Sequence, residues 1–78
     1  MDAKLAHYER EEKNVFQRIQ TCNICTDLIN AYVKQNYHEM NVVMLEDILT
    51  AIFKVEMEQR EELIHIRLAK ATHSQRTL

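Results

Sequence analysis

The chain contains no glycine and no proline among its 78 residues. These two residues interrupt helices most strongly, because glycine costs backbone entropy and proline removes an amide donor. Their absence excludes a glycine-rich phosphate-binding loop and leaves the sequence without a strong helix breaker. Because 46% of the residues are hydrophobic, an ordinary fraction for a folded chain, we expect a single all-α domain.

The sequence is also poor in cysteine, in long apolar runs and in excess charge of one sign. Two cysteines are too few for a secreted disulfide scaffold. No apolar run approaches the roughly 20 residues of a membrane-spanning helix, and residues 1–12 lack the apolar segment of a signal peptide. A formal charge of −2, with acids and bases mixed, is not the basic footprint of a nucleic-acid-binding protein. We therefore expect a cytoplasmic protein.

The densest apolar stretch, residues 42–57, has the spacing of a helix. Apolar side chains recur at three- and four-residue steps, and two more widen the stripe on one flank: Leu45, Ile48, Ile52 and Val55, with Leu49 and Phe53. The inward row continues through Gln59, Leu63 and Ile66. This stripe is wider than the seam of a two-stranded coiled coil and predicts packing against more than one neighbour.

The first helix is expected to run from Asp2, which can cap it, to about Lys34. Its apolar face shifts by more than 100° past Cys22, so the helix either is buried on two sides there or breaks. Residues 21–27 are all weak helix formers, which allows a break near residues 21–26 and three helices in total. Since nothing in this segment forces a stop, the continuous helix remains open as well.

A turn is predicted at residues 35–41, where Asn36 can close the first helix and Asn41 can open the second. The asparagine side chain also tolerates the left-handed backbone that a turn without glycine requires. The second helix is expected from Val42 to about Lys70. Residues 72–78 have little to bury and are predicted to form a frayed or disordered tail after a domain of residues 1–71.

The predicted fold is an antiparallel helical hairpin that pairs with a second copy. Two helices of about 30 residues, each about 45 Å long, make a thin rod that leaves part of each apolar face exposed to solvent. Pairing two hairpins into a four-helix bundle covers these faces. The residues predicted to form the dimer or partner interface are Ile19, Cys22, Ile29, Tyr32, Val33, Met44, Leu45, Ile48, Leu49, Ile52, Phe53 and Val55.

Candidate chemical motifs are few. Cys22 and Cys25 form a CxxC pair, but redox pairs of this type follow a strand, and a zinc site requires a second ligand pair, which only a dimer supplies. Glu62 and His65 have the ExxH spacing of di-iron helices, yet they point away from the apolar stripe. The four histidines are scattered, so we predict no catalytic residue, no cofactor and no metal site.

These observations predict a non-enzymatic protein-interaction module that regulates or inhibits a larger partner through helix packing. Methionine and aromatic residues near the turn suit an adaptable apolar surface for a partner helix. The alternative is a small nucleic-acid-associated transcriptional regulator that uses a basic C-terminal end, Arg60, Arg67, Lys70 and Arg76. Nucleic acid is the less favoured partner, because glutamates lie beside these basic residues.

Overall fold

The computed structural model describes residues 2–76, except the side chain of Arg76, and these residues form a hairpin of two long helices. Helix α1 spans Ala3–Asn36 and helix α2 spans Val42–Arg76. A short 3-10 turn, Tyr37–Glu39, connects them. The two helices pack against each other. The all-helical hairpin predicted from the sequence is therefore confirmed for the described residues.

Helix α1 is continuous through residues 21–26, where the sequence also allowed a break. Its N-terminus is capped by Asp2, whose carboxylate accepts hydrogen bonds from the backbone amides of Lys4 and Leu5, both at 3.1 Å. The hydroxyl of Thr21 donates to the carbonyl of Gln17 at 2.9 Å. This hydroxyl therefore finds its hydrogen-bond partner within the helix rather than at a break.

The turn uses the two asparagines as caps but does not use left-handed backbone. The side-chain amide of Asn36 donates to the carbonyl of Tyr32 at 3.1 Å, and the side-chain oxygen of Asn41 accepts from the amide of Met44 at 3.0 Å. No described residue has a positive φ angle. The chain instead reverses through the 3-10 turn and an extended Met40, whose amide donates to the carbonyl of Tyr37.

The two helices meet along a seam of side chains that recur at alternating three- and four-residue steps. In α1 the seam comprises Leu5, Tyr8, Glu12, Val15, Ile19, Cys22, Thr26, Ile29, Val33 and Asn36. In α2 it comprises Leu45, Leu49, Ile52, Glu56, Gln59, Leu63, Ile66, Lys70 and His73. Each of these residues is buried or half-buried, and an average step of 3.5 residues is that of a two-stranded coiled coil.

The best-buried part of the seam lies in the half of the hairpin near the chain ends. Val15 and Ile19 of α1 pack there with Leu63 and Ile66 of α2, and Tyr8 lies against this cluster. Val15 is only 1% exposed. Toward the turn, the seam is shallower, since Leu45 is the one buried apolar residue that the described part of α2 adds there.

The seam corrects two predicted inward positions. Ile48 and Val55 were expected in the inward row, yet they are 43% and 49% exposed. Leu49, expected on the flank, lies in the seam instead. The physical reason is that the observed row alternates four- and three-residue steps without interruption to Leu63, which packs in the core, whereas the row through Ile48 and Val55 reaches Leu63 only by two successive four-residue steps.

Polar contacts join the two helices at the end of the hairpin away from the turn. The carboxylate of Glu12, in the seam, accepts from Arg67 Nε at 2.9 Å and from Lys70 Nζ at 3.3 Å. Together these hydrogen bonds hold the pKa of Glu12 below its ordinary value of 4.5, although partial burial acts in the opposite direction. The sequence placed Arg67 and Lys70 in a basic C-terminal end, whereas the structure pairs both with Glu12 of α1.

Helix α2 also extends further than the sequence predicts. Residues 72–76 were expected to be frayed, but they continue the helix to Arg76, while residues 77 and 78 lie outside the described part of the chain. The reason is a contact with the other chain end: His73 Nε2 lies 2.6 Å from the carboxylate of Asp2, and its ring meets Tyr8 edge-on. The hydrogen bond from His73 is the largest cause of the lowered pKa of Asp2.

The hairpin is a thin rod that leaves much surface in water. It measures 60 × 18 × 12 Å with a radius of gyration of 17.8 Å, whereas a compact chain of this length has about 11–12 Å. Its accessible surface is 6304 Å², against roughly 5000 Å² for a compact monomer of this mass. In the described part of the chain, neither helix contains a stretch that is both long and apolar enough to cross a membrane.

We expect Leu63→Ala to lower the free energy of unfolding by about 2–4 kcal/mol, because it opens a cavity beside Val15 and Ile19. The matched control is Leu68→Ala on the same helix, where the side chain is 61% exposed, and its effect should stay within about 0.5 kcal/mol. Urea unfolding followed by circular dichroism measures both. Equal losses for the two variants would contradict the assignment of the core.

We expect Glu12→Gln to destabilise the hairpin at pH 7 but not in acid. Because the folded-state pKa of Glu12 lies below 4.5, its charged contacts stabilise the fold above that value and are lost as the pH falls through the folded-state pKa. The difference in urea midpoint between wild type and variant should therefore shrink on acidification. A difference that stays constant would show that Glu12 acts by packing alone. Glu61→Gln, at an exposed position of α2, is the control.

Candidate partner-binding surface

One side of the hairpin carries an apolar face beside the seam, in the half nearest the turn. On each helix this face consists of four side chains at three- and four-residue steps. The apolar face comprises Thr21, Cys25, Leu28 and Tyr32 on α1, with Met44, Ile48, Ala51 and Val55 on α2. Residues at such steps lie on one side of a helix, and each row flanks the seam on the same side of the rod.

Two open grooves run along this apolar face and show that the two rows meet. The first, of about 260 Å³, is lined by Thr21, Cys22, Cys25, Ala51, Ile52 and Val55. The second, of about 290 Å³, is lined by Leu28, Ile29, Tyr32, Met40, Leu45 and Ile48. Both walls and floor are almost entirely apolar atoms. The seam forms the floor of each groove, and the apolar face forms its walls.

The large side chains of the apolar face are widely exposed. Leu28 is 65% exposed, Met44 is 56% exposed and Tyr32 is 55% exposed. No acidic or basic residue occupies any of the eight positions of the face. A monomeric protein seldom exposes a contiguous apolar patch larger than a few hundred Å², and larger patches mark sites of interaction.

The apolar face ends at the middle of the hairpin, where charged residues take over the same rows. Continuing the row of α1 backwards from Thr21 leads to Arg18, and continuing the row of α2 forwards from Val55 leads to Glu58. Arg18 reaches across to the side-chain oxygen of Gln59 at 3.5 Å. The surface is therefore bounded by polar groups at one end and by the turn at the other.

The opposite side of α1 is polar at the same level of the rod. It carries exposed amides and charges at Gln20, Asn23, Asp27, Asn30 and Lys34. In the turn half, α1 thus has an apolar side and a hydrated side, whereas α2 also exposes Phe53 and Val43 outside the apolar face.

The twelve residues predicted as interface divide into three groups in the structure. Seven lie in the seam between the two helices: Ile19, Cys22, Ile29, Val33, Leu45, Leu49 and Ile52. Four lie on the apolar face: Tyr32, Met44, Ile48 and Val55. Phe53, 57% exposed, follows Ile52 on the other flank of α2 and lines neither groove. Their predicted role in binding a second chain remains a prediction.

The sequence-based interface omitted several residues that the structure places on the apolar face. Leu28, Cys25, Thr21 and Ala51 line the grooves but were not predicted. A signal was present, since residues 21, 25, 28 and 32 recur at steps of four, three and four. It was obscured because Thr21 and Ala51 are small and only weakly apolar.

The candidate chemical motifs are dispersed in the structure. Cys22 and Cys25 are free thiols, both half-buried, and no acid or histidine lines their groove. Glu62 and His65 are exposed on α2. Among residues 2–76, no group of three or more histidine, cysteine or acidic side chains is arranged to hold a metal ion.

Comparison of the chain with protein-family models, with curated proteins and with solved structures finds no match in any of the three.

Proposed function

We propose that this protein is a small cytoplasmic, non-enzymatic interaction module that regulates or inhibits a larger partner protein through helix packing. The observation that carries this proposal is the apolar face, an uncharged strip on one side of the turn half with both grooves open to solvent. Water is expelled from such a strip when another apolar surface covers it, at roughly 25 cal/mol per Å² buried.

The geometry favours helices as the covering elements. Both grooves run along the line between two nearly parallel helices, and helices pack by placing their side-chain ridges into grooves of this kind. Two further helices laid on the face complete a four-helix bundle in which the seam and the grooves become one core. The proposed partner therefore presents an amphipathic helix or a helical pair.

The non-enzymatic character rests on the groups that line the grooves. These are alkyl groups, a phenol ring, thiols, a thioether and the hydroxyl of Thr21, which already donates to a backbone carbonyl. Nucleophilic catalysis needs a base beside the nucleophile. The lining residues include no histidine, carboxylate or amine to serve as one.

The alternative role in nucleic-acid binding receives less support from the contacts. Arg67 and Lys70 are paired with Glu12 across the seam, and Arg60 is paired with Glu56 on the same helix at 2.9 Å. Phosphate binding needs basic side chains that are free to displace counterions. The fourth residue of the predicted basic end, Arg76, has its side chain outside the described part of the structure.

The proposal is tested by capture of the partner with two matched lysine variants. We expect Leu28→Lys to reduce the affinity for the captured protein at least tenfold, because a charge would be buried without a counter-ion. Ile24→Lys is the control: it lies one turn away on α1, is 57% exposed and lines neither groove. Quantitative mass spectrometry of proteins retained by each variant, followed by calorimetry, measures the difference.

Capture of a protein does not by itself support the proposal that the apolar face binds a partner. The selective loss with Leu28→Lys supports the proposal, provided that circular dichroism shows unchanged helix content. Equal retention by Leu28→Lys and Ile24→Lys would show that partner binding does not use the apolar face. In that case the proposal is wrong.

A further inference from the structure

The side chains of the apolar face are graded in size along the rod. On α1 the two residues nearer the middle, Thr21 and Cys25, are small, whereas Leu28 and Tyr32 nearer the turn are large. Along α1 the side chains of the face are therefore larger toward the turn than toward the middle of the hairpin.

The same gradient occurs on α2, at the same level of the rod. Met44 and Ile48, nearer the turn, are larger than Ala51 and Val55, nearer the middle. The grooves fix the relative level of the two helices, because Cys25 shares one groove with Ala51 and Leu28 shares the other with Ile48. We call the half near the turn, which has the larger side chains, the raised half, and the half next to it, which has the smaller side chains, the recessed half.

This difference in side-chain size between the two halves makes the apolar face complementary to itself. The midpoint between residues 25 and 28 on α1 is level with the midpoint between residues 48 and 51 on α2. A two-fold axis across the rod at that level lays each raised half on the recessed half of an identical face. Facing large side chains with small ones is the arrangement in which packed layers interdigitate without voids.

Resting on the proposed function, we infer that the apolar face is covered by a second copy of this chain, packed antiparallel about this two-fold axis, until a larger partner displaces that copy. Cys25 then faces the partner's Leu28, and Thr21 faces the partner's Tyr32. On the other helix, Ala51 faces the partner's Ile48. The dimer is a four-helix bundle in its turn halves, from which the charged free ends project in opposite directions.

Two further quantities favour a second copy as the occupant. An interface about a two-fold axis joins the same surface of two copies, so a surface with a net charge would be repelled by its identical partner. The apolar face carries no charge at any of its eight positions. The chain also exposes 6304 Å² of accessible surface, roughly 1300 Å² more than a compact monomer of its mass. This excess is larger than the area of about 800 Å² that each partner buries in a standard interface.

The arrangement is tested by cross-linking of single cysteines in the full chain with Cys22→Ala and Cys25→Ala. In the antiparallel dimer, position 18 faces the partner's position 35 at the interaxial distance of about 8–10 Å, whereas two copies of position 18 are about 25 Å apart. A short bismaleimide should therefore join Arg18→Cys to Gln35→Cys chains in a mixture. Neither variant alone should form a cross-linked pair. An affinity tag on one variant identifies the mixed species.

Sedimentation equilibrium at micromolar concentration supplies the second measurement. The wild type and Ile24→Lys should be dimers, and Leu28→Lys should raise the dissociation constant at least tenfold with unchanged helix content. A helical monomeric wild type would overturn the inference, as would a dimer that cross-links Arg18→Cys chains to each other. Neither result bears on whether a larger partner needs Leu28, so failure of the inference and failure of the proposed function are distinguishable.

Discussion

The packing of Val15 and Ile19 against Leu63 and Ile66 holds the two helices together, and the rest of the structure depends on it. This cluster lies in the half of the hairpin near the chain ends. Because each helix is continuous from this cluster to the turn, holding the helices together there also limits their separation near the turn. The turn half is thereby held in place although its own seam is shallow. It can carry an exposed apolar face without collapsing onto itself.

Polar contacts at the seam contribute more to the alignment of the two helices than to the stability of the hairpin. Glu12 meets Arg67 and Lys70 at one level of the seam, and these three side chains remain partly exposed. Exposed ion pairs contribute about 0.2–1 kcal/mol each, less than the burial of one leucine at about 1.5–3 kcal/mol. A sliding of the helices by one turn would nevertheless separate them. The pairing therefore discriminates against shifted alignments.

The division of the hairpin into a paired half and an apolar half links the fold to the proposed function. The half near the ends pairs some of its charges across the seam, as Glu12 does with Arg67 and Lys70, and the half near the turn leaves apolar area without a neighbour. A small domain of this size has little core to spare, so area left open is costly unless another surface covers it. The proposed covering by helices would extend the core rather than add a separate site.

Local chemistry allowed several elements to be predicted from the sequence alone. The absence of glycine and proline indicated long helices, and the caps at Asp2 and Asn41 follow from the hydrogen bonds that these side chains make to nearby amides. Part of the apolar face, including Ile48 and Val55, was also predicted to be an interface, and this role stays a prediction. Such features depend on residues within a turn or two of each other, which a sequence displays directly.

Only the tertiary structure decided which apolar residues of α2 face α1 and which remain outside. A row through Leu45, Ile48, Ile52 and Val55 and a row through Leu45, Leu49, Ile52 and Glu56 both have helical spacing. The second row is the one that the fold uses, since its steps alternate without interruption through Leu63, which packs with Val15, to Lys70, which donates to Glu12. The sequence determined that the protein is helical and where its turn lies. The choice between the two rows belongs to contacts between residues more than forty positions apart, and periodicity within one helix carries no information about them.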